Sequence, residues 1–125
     1  MKTVLVVDDS RSARMIFIRC LRIAGFDGAE FLEAGDGQAA IELVEERSDV
    51  GLALIDLNMP TMDGLTLVHE LRARPALRGL RIIVASSLIN DAARSRLAAA
   101  GADAVIEKPI SPAILVETLA GLGGN

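Results

Sequence analysis

Five short apolar runs recur along these 125 residues, each followed by a stretch in which apolar positions return every three to four residues. The runs are Thr3–Val7 (TVLVV), Glu30–Ala34 (EFLEA), Gly51–Ile55 (GLALI), Arg81–Ala85 (RIIVA) and Ala104–Glu107 (AVIE). A strand with one wet face alternates apolar and polar residues. Runs this short and mostly unalternating belong instead to strands covered on both faces, as in a parallel sheet. Glu30–Ala34 is the most polar of them and reads as an edge strand. A β-α alternation repeated five times, with right-handed crossovers, predicts one α/β domain built on a doubly wound parallel sheet.

The helical stretches carry their own punctuation. In the first, Ala13, Ile16, Phe17, Cys20, Leu21 and Ala24 form a stripe at helical spacing, Arg11, Arg19 and Arg22 lie off it, and Gly25 is a stop. The second runs from about Gln38 to Glu46. The third spans Gly64 to Arg74 and ends before Pro75, and the fourth spans Asp91 to Ala100 with Gly101 after it. The last opens on Ser111-Pro112, a capping serine with proline in the first turn, and frays over Gly121–Asn125.

Composition narrows the function classes. Hydrophobic residues make up 51% and charged residues 24%, the balance of a chain with a packed core. A net charge of −4, no block of Lys or Arg, and only three Phe with no Trp or Tyr argue against a nucleic-acid surface. Cys20 is the single cysteine, which excludes an internal disulfide and a multi-cysteine metal site and fits a reducing compartment. No apolar stretch reaches the roughly 18 residues of a membrane span. Met1-Lys2-Thr3 leads straight into a strand-like run without a signal-peptide pattern, so the expected location is cytoplasmic, with no membrane or nucleic-acid partner.

In an open α/β sheet, chemistry collects beyond the carboxyl ends of the strands. Those ends carry Asp8-Asp9, Ala34–Gly37, Asp56, Ser86-Ser87 and Lys108-Pro109. Asp8, Asp9 and Asp56 converge if the first and third strands are neighbours. Three carboxylates in one cleft repel, and a hard divalent cation such as Mg²⁺ removes the conflict. Lys108 adds a positive charge and Ser86 a hydroxyl that can donate to an anion. Carboxylates, a metal, a lysine and a hydroxyl together describe phosphoryl transfer, with Asp56, alone on the central strand, as the nucleophile and the Asp8-Asp9 pair left to hold the metal. Asp8-Asp9 alone would serve as a capping pair for the first helix; Asp56 and Lys108 at matching strand ends outweigh that reading. His69 reads as a solvated helix position, Cys20 as core, Met59 and Met62 as cover for the site, and "GDGQ" at Gly35–Gln38 as a turn and helix start.

The segments "VLVVDDS", "ALIDLNMPTMDG", "IIVASS" and "GADAVIEKPIS" resemble, in order and over nearly the whole chain, the signature segments of the two-component response-regulator receiver domain. "DLNMPTMDGL" and "RARPALRGL" are similar to the stand-alone chemotaxis type. The resemblance implies a five-stranded sheet in the order 2-1-3-4-5, flanked by five helices, for a single domain over residues 1–125. It implies that Asp56 accepts a phosphoryl group from the phosphohistidine of a histidine kinase or phosphotransfer protein. Asp9, Asp56 and the main-chain carbonyl of Asn58 would ligate Mg²⁺, with Asp8 contributing through water. Ser86 matches the switch hydroxyl. Lys108, before a cis-bonded Pro109, matches the phosphate-pairing lysine, while Met59-Pro60 and Asp63-Gly64 shape the loop after the acceptor.

On this reading the chain catalyses only its own phosphorylation and dephosphorylation. It is a monomer whose output is altered binding to a downstream protein, a flagellar motor switch or a phosphorelay member, through a switch region of Ser86, Ser87, Leu88, Val105 and Pro109. One position departs from the chemotaxis type. Val105 stands where an aromatic ring usually reports the state of the site, so coupling to the output face is expected to be weaker or to run through backbone and loop movement. Leu88, two residues past Ser86, is expected to shield the acyl phosphate from water. Rival readings are a receiver piece of a longer regulator, although the glycine-rich end looks like a natural stop; a Mg²⁺-dependent phosphatase of the haloacid-dehalogenase type, whose DxDx(T/V) pattern the adjacent Asp8-Asp9 does not match; and a pseudo-receiver, which typically lacks one of the acidic or lysine positions found here.

Overall fold

The computed structural model describes residues 2–59 and 62–122. Strands β1 (Thr3–Val7), β2 (Glu30–Ala34), β3 (Val50–Asp56), β4 (Arg81–Ser86) and β5 (Ala104–Glu107) form one parallel sheet in the order β2-β1-β3-β4-β5. Helices α1 (Arg11–Leu21), α2 (Gly37–Glu46), α3 (Gly64–Arg72), α4 (Asp91–Ala100) and α5 (Pro112–Gly121) follow the strands in turn. The polar strand Glu30–Ala34 does lie at an edge. Pro60 and the last three residues, 123–125, fall outside the described residues.

The missing alternation in the strands has a direct cause. Leu5, Val7, Ala53, Ile55, Ile82 and Val84 pack on one face of the sheet against Ile41 and Val44 of α2, Leu67 and Leu71 of α3 and Leu97 of α4. The residues between them, Val4, Val6, Leu52, Leu54, Ile83 and Ala85, pack on the other face against Phe17 and Leu21 of α1 and Leu115 of α5. From Val4 to Val7, Leu52 to Ile55 and Ile82 to Ala85 each position meets a helix layer, so none of them needs to be polar.

Differences from the sequence reading are local. β3 begins one residue earlier than its apolar run, at Val50, and β3 and β4 each end one residue later, because Asp56 pairs with Ala85 and Ser86 with Glu107; both residues close a strand instead of following one. The α3 helix stops at Arg72, before a short 3-10 turn at Pro75–Leu77. After Leu21 the first helix widens into a π-helical turn, Arg22–Phe26, in which Gly25 adopts φ 123°. Of its apolar stripe, Phe17, Cys20 and Leu21 are buried while Ile16 is 54% exposed. Ile16 sits at the edge of the apolar arc. It faces a groove of about 300 Å³ with Phe17, Lys108, Pro109 and Ile110, not the sheet.

All five helices begin with a side-chain cap next to the strand ends. Ser10, Asp36, Asp63, Asn90 and Ser111 accept from the backbone N–H of Ala13, Ala39, Thr66, Ala93 and Ile114. Each such cap is worth about 1 kcal/mol, and together they fix where the chain turns at the functional end. The opposite end is tied by Arg72, which donates to the main-chain oxygens of Gly101 (2.9 Å) and Leu80 (2.7 Å) and pairs with Asp103 (2.8 Å).

Candidate functional site

Strand register brings the sequence-distant candidates together. Val7 pairs with Ile55, so Asp8 follows β1 beside Asp56, the last residue of β3. Ser86 pairs with Glu107, and the N–H of Lys108 donates to the Ser86 carbonyl at 2.8 Å. Carboxylate oxygens of Asp8, Asp9 and Asp56 all lie within 4.8 Å of one another. Asp8 and Asp56 are buried and Asp9 is exposed. Lys108 Nζ bridges the two buried acids, 3.0 Å from Asp56 Oδ1 and 3.3 Å from Asp8 Oδ2.

The electrostatics follow from that count of charges. Burial pushes the Asp56 carboxyl above its ordinary value and the Asp8 charge adds to this; the Lys108 ammonium and the Asn58 backbone N–H pull it back only in part. Burial pulls Lys108 down, but its hydrogen bonds and charge interactions with Asp56 and Asp8 outweigh this and leave it raised. One ammonium against three carboxylates leaves the cluster short of positive charge. Its donors are all oxygen, and two are fixed by burial. That set suits a hard cation such as Mg²⁺, which takes one or two carboxylates and keeps its other positions for water and phosphate oxygens.

The remaining candidates surround this cluster. Asn58 lies exposed in the connection after β3, with Met59 and Met62 half-buried beside it. The fully buried Ser86 does not aim its hydroxyl at Asp56 through any hydrogen bond. Its Oγ donates to the Leu88 carbonyl at 3.1 Å and accepts from the Leu88 N–H at 3.3 Å. Ser87 is exposed and Leu88 is 84% exposed. Pro109 follows Lys108 through a cis peptide bond. Val105 is half-buried in β5, and its carbonyl accepts from Arg94 of α4 at 3.1 Å. His69 is exposed on α3 and Cys20 is buried, as the sequence suggested.

Two residues near the cluster escaped the sequence reading of its chemistry. Gly64, noted only as a loop-shaping residue and helix start, packs its backbone on the end of β3. A Cβ there would stand 2.8 Å from Leu57 Cα and 2.9 Å from the Asp56 carbonyl oxygen. Arg14 reaches the Asp8 main-chain oxygen at 2.7 Å. The glycine that opens the third helix was a visible signal; nothing local distinguishes Arg14 from the other arginines of its helix.

A 2-1-3-4-5 parallel sheet with an acid pair, a lone aspartate and a lysine at adjacent strand ends is the arrangement expected of a receiver domain. The chain belongs to the response regulator receiver domain family, which matches residues 4–120. It is 36% identical over 121 residues to a chemotaxis protein CheY homolog of Campylobacter jejuni, covering 97% of this chain and 92% of that protein. It is 35% identical over 115 residues to CheY1 of Helicobacter pylori, covering 92% of this chain and 91% of that protein. The solved structure of Vibrio cholerae CheY4 superposes with a TM-score of 0.86 at 29% identity, covering 98% of both chains. Among the described residues no helix is long and apolar enough to cross a membrane.

Proposed function

We propose that residues 1–125 form a single receiver domain, acting in the cytoplasm as a monomer, in which Asp56 accepts a phosphoryl group from the phosphohistidine of a histidine kinase or phosphotransfer protein. The observation that carries this reading is the buried Asp56 carboxylate, held 3.0 Å from Lys108 Nζ inside the three-acid cluster. In the transfer, an Asp56 oxygen bonds to phosphorus as the donor's N–P bond breaks and the imidazole leaves with that electron pair. Asp9, Asp56 and the Asn58 carbonyl would hold Mg²⁺, with Asp8 acting through water; when bound, the metal supplies charge neutralisation for the phosphoryl oxygens. Lys108 stays within reach of the same oxygens by pivoting from Asp56 to the group Asp56 has gained.

Signalling then rests on Ser86. Its hydroxyl is bonded to the backbone of Leu88, so donating to a phosphoryl oxygen requires release of the 86–88 turn. That release shifts the population of the segment between Ser87 and α4, and with it affinity for a downstream protein. Val105 is too short and stiff to repeat the movement of a ring, so the change travels through the turn and the α4–β5 contact. The kinship with chemotaxis proteins supports a role in chemotaxis or a phosphorelay, with a motor switch or another protein as target.

The test is intact-mass measurement after incubation with acetyl phosphate. The parent should gain one phosphoryl group with Mg²⁺ and none with EDTA, and Asp56→Asn should gain none. An undiminished gain in Asp56→Asn would sink the reading. Leu88 supplies a separate prediction. Lying two residues past Ser86 with its side chain 84% exposed, it would overhang the acyl phosphate and hinder water, so the labelled Leu88→Glu variant should decay roughly tenfold faster than the parent, equivalent to about 1.4 kcal/mol of barrier. Equal decay rates would contradict it.

A further inference from the structure

Arg14 belongs to no strand end, yet its guanidinium grips the acidic turn from α1. Nη1 donates to the Asp8 main-chain oxygen at 2.7 Å and Nε pairs with Glu33 of β2 at 2.9 Å, with only 17% of the side chain exposed. Asp8 itself is fixed from several sides. Its N–H donates to the Ala34 carbonyl (3.1 Å), its Oδ1 accepts from the Ser10 N–H (2.9 Å), and its Oδ2 meets Lys108 (3.3 Å). Asp9 has no such support: among the described residues no hydrogen bond or ion pair restrains its exposed carboxylate. What aims Asp9 into the cluster is therefore the orientation of the peptide that precedes it, and the oxygen of that peptide is the one Arg14 holds.

Building on the phosphoacceptor reading above, we infer that Arg14 is a positioning residue for the metal site, bracing the Asp8–Asp9 peptide against Glu33 so that the Asp9 carboxylate converges with those of Asp8 and Asp56. A guanidinium suits this task because its planar fork serves two acceptors at once, which a lysine ammonium on a flexible stem does poorly. Removing a group that orients a metal ligand typically weakens metal binding by about 10- to 100-fold. Charge alone makes the opposite forecast. Arg14 is a cation beside an acidic cluster, so removing it should favour a divalent cation if field strength were its whole contribution.

Calorimetric titration with Mg²⁺ separates the two by sign. Arg14→Ala should bind Mg²⁺ about tenfold more weakly than the parent, and Arg14→Lys, with the charge kept and the fork lost, should also bind more weakly. In acetyl phosphate labelling the Mg²⁺ concentration for half-maximal rate should rise in step, with the rate recovering at saturating Mg²⁺. Arg72→Ala, destabilised at the far end of the sheet, should keep the parent's Mg²⁺ affinity and so excludes general loosening as the cause. If Arg14→Ala fails to fold, Arg14→Lys carries the test. Parent-like or tighter Mg²⁺ binding in the variants would overturn the inference alone. Labelling of Asp56→Asn, or no Mg²⁺ binding by the parent, would overturn the phosphoacceptor reading on which it rests.

Discussion

Replacing Lys108 with alanine is expected to destabilise the metal-free protein by about 3 kcal/mol at neutral pH, the scale of stripping one partner from a buried ion pair. The amine bridges two carboxylates that are almost wholly buried, and only a quarter of its own side chain is exposed. Without it, Asp56, already pushed up by burial and by Asp8, rises further. A carboxyl whose folded pKa stands above its unfolded value contributes stability that is fully present below the unfolded value and lost as pH rises through the folded one. The deficit of Lys108→Ala should accordingly be small near pH 3, below the usual aspartate range of about 3.9, and full at neutrality. Mg²⁺ should return much of it, because a cation that binds only the folded state stabilises by mass action. Urea denaturation at several pH values, with EDTA or Mg²⁺, reads all three effects; a variant as stable as the parent at neutral pH in EDTA would refute them.

Gly64→Ala is the second large effect. The new methyl group would lie 2.8 Å from Leu57 Cα and 2.9 Å from the Asp56 carbonyl oxygen, contacts with backbone and not with a yielding side chain. That backbone is fixed on both sides. The Leu57 N–H donates to the Ala85 carbonyl at 2.9 Å, and the Leu57 carbonyl accepts from the Gly64 N–H at 2.8 Å. Relief must come from displacing α3 or the end of β3, which should cost about 2–3 kcal/mol. Since Asp56 terminates β3, the same displacement should slow labelling by acetyl phosphate even under conditions where the variant stays folded. Parent-like stability and labelling rate together would show that the close approach is not needed.

How far the sequence was readable depended on where the determining contacts lie. The strands were legible because both faces of β1, β3 and β4 are buried, which leaves an apolar run with no phase to mistake. The cluster was legible because strand ends are the places where a doubly wound sheet exposes functional groups, and Asp8, Asp9, Asp56, Ser86 and Lys108 all stand there. Ile16 was misplaced because helical spacing says which residues share a side, not how wide the covered arc is. The bond between Ser86 Oγ and Leu88 depends on the path of a turn that spacing does not encode. The grip of Arg14 on Asp8 joins a helix, an edge strand and a loop, and such a contact has no one-dimensional trace. Gly64 lies between these cases: a glycine at a helix start is conspicuous, but its reason, the backbone of Leu57, is tertiary.

The phosphoryl group is expected on Asp56 and on no other carboxylate of the cluster. Borohydride reduces an aspartyl phosphate to homoserine, which marks the acceptor covalently. The protein labelled with acetyl phosphate and Mg²⁺, then reduced, digested and sequenced by mass spectrometry, should carry homoserine at position 56 alone. Homoserine at position 8 or 9, or none in labelled protein, would contradict the assignment.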